Sequence, residues 1–152
     1  MVDLWTPMTD HDLIHDDPAP LYLGSDPGDY LYDNIREFGL IVNLMDRLQT
    51  ETAPHAIVMH YSMIDIEDTP ELIPDRDRVE AFLWAVHVFA ATEKTLWHCA
   101  AGLNRSGFML AAYLHLYRQI PIRDAIALLR EKREPTVLNN KTFERTLLEW
   151  YG

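Results

Sequence analysis

Short apolar runs alternate along the chain with longer amphipathic stretches. "LYLGS" (Leu21–Ser25), "LIVNL" (Leu40–Leu44), "AIVMHYSM" (Ala56–Met63) and "TLWH" (Thr95–His98) are each brief, rich in bulky or β-branched residues and bounded by polar or turn-forming positions, which is the pattern of buried strands. Tyr30, Leu31, Ile35 and Phe38 recur at helical spacing ahead of Gly39, placed as a C-cap, and predict a helix over Tyr30–Phe38. Over Arg76–Ala91, Val79, Phe82, Leu83, Val86 and Phe89 share one helical face. Arg105–Tyr117 is apolar on nearly every side and predicts a helix buried in the middle of the domain, while Ile122–Lys132 and Thr142–Trp150 form two further amphipathic helices around "REPTVLNN". Helices falling between strands predict an α/β fold, a central twisted and mainly parallel sheet covered on both faces, with its ligand site at the carboxyl ends of the strands. Residues 1–20 lack sustained periodicity and read as a lead-in strapped over the domain, anchored by Leu4 and Trp5.

Composition narrows the picture. The chain's 152 residues suit a single domain, 48% hydrophobic and 24% charged, that buries a real core without a disulfide or structural metal. A formal charge of −11 sets the surface as a whole against nucleic acid and anionic membranes, so any anion site must be locally focused. The one cysteine excludes an internal disulfide and a cysteine cluster of zinc-binding spacing, and makes a reducing, cytoplasmic setting the expectation. The acidic start, without a basic or apolar leader, and the lack of a long apolar run point away from secretion and membrane spanning. His11 and His15 lie four apart without a helical pattern, and no metal site is read from them.

The candidate chemistry sits in "HCAAGLNRSG", at the junction between the strand Thr95–His98 and the buried helix. A loop of Cys99, Ala100, Ala101, Gly102, Leu103, Asn104 and Arg105 that enters a helix at once can curl so that its backbone N–H groups converge on one anion. Its small residues permit the close curl, and the helix N-terminus favours Cys99 as a thiolate, a nucleophile toward phosphorus. Arg105, six residues after Cys99, can grip two phosphate oxygens with its planar fork. Ser106 can donate its hydroxyl to the sulfur when sulfur becomes a leaving group, and His98 and Asn104 can hold the loop's shape. A lone cysteine at a strand end is ordinarily packing; His, Cys, Gly, Arg and Ser at these offsets together are not.

The stretch His98-Cys99-x5-Arg105-Ser106 matches the signature of the cysteine-dependent phosphatases, and the chain resembles a compact dual-specificity phosphatase over most of its length. "LYLGS", "IVNL", "YSMIDIEDTP" and "REPTVLNNKTFERTL" resemble that family's segments in the same order. The resemblance implies a central sheet of about five strands flanked by helices and a two-step reaction through a phosphocysteine, with no cofactor. Ester cleavage also needs a proton for the leaving oxygen, and the candidates cluster in "IDIEDTP". Similarity to the family's acid-bearing loop, about 30 residues before the cysteine, selects Asp68, with Asp65 next and Glu67 third. It also implies that Asn140 braces the loop from behind.

Relatives restricted to phosphotyrosine carry an added pocket-deepening loop with no counterpart here, so phosphoserine and phosphothreonine proteins enter the expected substrates. Phosphoinositide-directed relatives tend to have lysines where this loop has Ala100, Ala101 and Leu103. "HCAAGLNRSGFML" also resembles the RNA 5′-triphosphatases that share the cradle, but the presence of Asp68 and the acidic surface oppose an RNA substrate. A non-catalytic phosphate-binding module is the remaining alternative, and such modules typically lose the cysteine or the arginine that this chain keeps.

Overall fold

The computed structural model describes residues 10–27, 36–46 and 55–152. Within them, five strands form one sheet: β1 (His11–His15), β2 (Leu21–Gly24), β3 (Leu40–Asn43), β4 (Ile57–His60) and β5 (Thr95–His98), in the order β1-β2-β5-β3-β4. Pairings β2·β5, β5·β3 and β3·β4 are parallel, and only β1 runs antiparallel, against β2. β3 and β5 are buried at every residue, as expected of interior strands sandwiched on both faces. β4 lies at an edge and leaves Ile57 and Val58 exposed.

Four helices follow: α1 (Arg76–Ala90), α2 (Arg105–Arg118), α3 (Ile122–Lys132) and α4 (Lys141–Tyr151). α1 begins at Asp75, whose carboxylate accepts from the Arg78 backbone N–H at 3.0 Å and satisfies one orphan donor of the first turn. α2 has every residue from Ser106 to Leu114 buried, so it forms the spine against which the other helices pack. Leu21 and Leu23, Leu40 and Val42, and Trp97 point to the same face by the two-residue period of a strand, and join all four helices in one core. Trp97 rests on Tyr113 of α2, ring centroids 5.3 Å apart, and Phe108 on Phe143 of α4 at 5.4 Å. The opposite face carries a smaller cluster of Phe38, Ile41 and Leu96.

Two expectations are revised. The stretch read as a lead-in strapped over the domain contains β1, an edge strand that was hard to see because its sequence, HDLIH, buries only Ile14. The four helices of the described residues share one core with one face of the sheet, and the expectation of helices on both faces is not revised by them. Most of the predicted helix Tyr30–Phe38, and the anchors Leu4 and Trp5, lie outside the described residues. The strand predicted over Ala56–Met63 is shorter, β4 ending at His60 where the chain leaves the sheet toward the acidic loop.

Candidate active site

β5 is the middle strand of the sheet, and its carboxyl end delivers Cys99 between the ends of β2 and β3. The chain then passes through residues 100–104 and enters α2 at Arg105. Cys99 is almost wholly buried, its Sγ 3.1 Å from Ser106 Oγ at the start of the helix.

The carbonyls of this loop are tied to groups outside it. Ala100 accepts from the Asp26 N–H at 2.9 Å and Leu103 from the Leu138 N–H at 3.1 Å. Ala101 and Gly102 both accept from the Arg133 guanidinium, each at 2.9 Å. In a trans peptide the carbonyl and the following N–H point in opposite directions. The N–H groups of Ala101, Gly102, Leu103 and Asn104 therefore face away from those partners, into the loop, forming a nest for an anion. Gly102 makes the turn at φ +71°; a Cβ there would lie 2.5 Å from the Gly24 backbone.

Arg105 is largely buried beside the nest. Its Nη1 donates to the Met63 carbonyl at 3.3 Å and lies 3.6 Å from the Asp46 carboxylate, and its Nε–H is buried without a hydrogen-bond partner among the described residues. That donor is aimed for a further acceptor, which a phosphate oxygen supplies well. His98 beneath the loop is held neutral, its pKa lowered to about 4 chiefly by burial, with His60 and Arg105 reinforcing the shift and Asp26 opposing it.

Behind the nest a polar cluster joins three parts of the chain. Asn104 donates to Asp65 at 3.0 Å and to Asn139 at 2.8 Å, and its Oδ1 accepts from the Asn140 N–H at 3.0 Å. Asn140 donates to the other Asp65 oxygen at 2.8 Å, while its own Oδ1 caps α4 by accepting from the Thr142 and Phe143 N–H groups. Asp65 is thereby engaged on both oxygens. Asp65, Glu67 and Asp68 are all exposed; the Asp68 backbone is held at φ 58° and its N–H donates to Thr142 Oγ1 at 2.8 Å.

The structure thus gathers Cys99, the loop Ala100–Asn104, Arg105, Ser106, His98 and Asn140 at one strand-to-helix junction, and ties the Asp68 segment to the first turn of α4. Sequence reasoning missed Asp46, Arg133 and the bracing use of Asp65. Asp46 was findable, since it follows the carboxyl end of β3, next to the strand that bears the cysteine. Arg133 had no local signal, because its partners are far away in sequence.

The family described as "Dual specificity phosphatase, catalytic domain" matches residues 21–152. The tyrosine-protein phosphatase MSG5 of Saccharomyces cerevisiae is 28% identical over 112 residues, covering 71% of this chain and 22% of that protein. A dual specificity protein phosphatase of Vaccinia virus, OPG106, is 29% identical over 119 residues, 76% of this chain and 68% of that one. The chain therefore spans less than a quarter of the yeast relative's length and about two thirds of the viral one. Among solved structures, human DUSP28 superposes with a TM-score of 0.73 at 19% identity, covering 99% of this chain and 97% of that chain, a likeness of fold. With the family matched from β2 to the end of α4 and the cysteine, arginine and serine meeting at one anion nest, the chain belongs to the dual specificity phosphatase catalytic-domain family.

Proposed function

We propose that the chain is a single-domain protein phosphatase that hydrolyses phosphotyrosine and phosphoserine or phosphothreonine monoesters through a phosphocysteine. Cys99 Sγ attacks phosphorus in line with the ester oxygen, the P–O bond breaks, and Asp68 gives its proton to the departing oxygen. The inward N–H groups of the loop and the Arg105 fork hold the three equatorial oxygens through the transition state. Asp68, now a carboxylate, takes a proton from water as that water attacks the phosphocysteine; the S–P bond breaks and phosphate leaves. Ser106, at 3.1 Å, donates to the sulfur as it departs. No cofactor enters either step. Membership of the family supports the activity, and a reducing, cytoplasmic setting suits a cysteine that must stay reduced.

The observation that carries this reading is the outward anchoring of four consecutive loop carbonyls, which turns the matching amides away from those partners. Its test is phosphate release from phosphotyrosine peptide, phosphothreonine peptide and triphosphate-ended RNA, without added metal, with Cys99→Ser as blank. Turnover of both peptides by the wild type alone is expected. Release from RNA alone would move the chain to the triphosphatase branch, and no turnover anywhere would make it a phosphate-binding module.

A further inference from the structure

Arg133 follows the last turn of α3, yet its side chain is only 2% exposed. Nε donates to the Gly102 carbonyl and Nη2 to the Ala101 carbonyl, both at 2.9 Å. On its other side Nη1 and Nη2 meet the two Asp10 oxygens at 3.1 and 2.9 Å, and Nη1 also donates to Asp12 at 3.0 Å. A guanidinium has five N–H groups, and these bonds use all of them. Nothing is left over for a substrate anion.

Asp10 and Asp12 stand just before and within β1, upstream of the segment matched by the family. A buried guanidinium without a counter-charge would be strongly unfavourable, so the two carboxylates are what allow Arg133 to lie under the loop. The two peptide groups it grips are those whose N–H groups belong to Gly102 and Leu103. Losing the grip frees them to rotate, and each rotation exchanges an inward N–H for an inward carbonyl that repels phosphate.

We infer that Arg133, held by Asp10 and Asp12, is a positioning residue that sets two amides of the phosphate nest, and that β1 is a working part of the site. Lysine, a point charge with no fork, could keep the ion pairs but not both carbonyl bonds in this geometry. The inference rests on the anion-nest reading of the loop but not on which ester is cleaved.

Tungstate, a tetrahedral dianion, is the probe, titrated by calorimetry beside melting temperature, kcat and KM on an aryl phosphate. Arg133→Met and Arg133→Lys are both expected to weaken tungstate binding by about tenfold or more, with the lysine variant recovering much of the melting temperature. Asp10→Asn combined with Asp12→Asn should weaken binding in the same direction. If the lysine and asparagine variants melt lower but bind tungstate within about twofold of wild type, Arg133 is only structural and the inference is overturned. It is equally overturned if the wild type binds no tungstate. Should Arg133→Met not fold, the other two variants decide. Wild type that binds tungstate yet hydrolyses no phosphopeptide would overturn the proposed substrate while leaving this comparison intact.

Discussion

Asp65 and Asp68 stand in the same short acidic segment and have opposite situations. Asp65 has amide donors on both oxygens from Asn104 and Asn140, so its carboxylate is committed to bracing the loop. Asp68 is pinned instead through its backbone N–H, which donates to Thr142, so the bond that fixes its place does not use the carboxyl group. Asp68→Asn is expected to lower kcat on phosphopeptides by about 10²–10⁴-fold and to matter much less for aryl phosphates whose leaving groups need little protonation. Equal loss on both substrates, measured side by side, would assign the proton to another group. His98 sets a second expectation, for stability. Its folded pKa, about 4, lies below the ordinary 6.5, so between those values the unfolded chain binds the extra proton and the folded one does not. Stability is therefore lost as pH falls from 6.5 toward 4, by about 3 kcal/mol from this residue if its burial persists. His15 and His87, also lowered by burial, push the same way. Thermal melts of His98→Asn across this window should show a flatter dependence than wild type; parallel curves would remove His98 from the account.

At the scale of elements, the interior strands were legible because burial on both faces leaves little but apolar residues: LIVN of β3 is the clearest case. β1 was not, since an edge strand with one buried residue has no such signature. The strand-loop-helix junction was legible down to its glycine, whose role the structure makes specific. Gly102 combines a left-handed φ of +71° with a gap that a Cβ would close to 2.5 Å from Gly24 and 2.8 Å from Arg133 Nη2. Gly102→Ala is expected to cost at least about 1–2 kcal/mol in the backbone alone. It should also depress kcat/KM beyond what that lost stability explains, because relief of the contact moves the loop. Wild-type kinetics in a variant that melts lower would show that the loop tolerates the displacement. The bracing cluster was only half readable, because Asn104, Asp65 and Asn140 come together across the fold rather than along the chain.

For the whole molecule, a formal charge of −11 coexists with an anion nest because Arg105 and the inward N–H groups of the loop supply positive potential locally, at the carboxyl end of β5. Arg133 is neutralised by two aspartates, whereas among the described residues Arg105 has one carboxylate beside it, the exposed Asp46, at 3.6 Å. Sheet order was the part least accessible from sequence: apolar runs predict strands but not neighbours, and nothing in TLWH says that it lies between β2 and β3. That central position bears on folding. β5 pairs on both edges with strands from far upstream, and its loop is then held by residues from β1's end of the chain and from beyond α3. These contacts join residues far apart in sequence, so closing them carries a large loop-closure entropy. The proposed phosphate nest is therefore built from the whole span of the chain, from Asp10 to Arg133, and not from the signature loop alone.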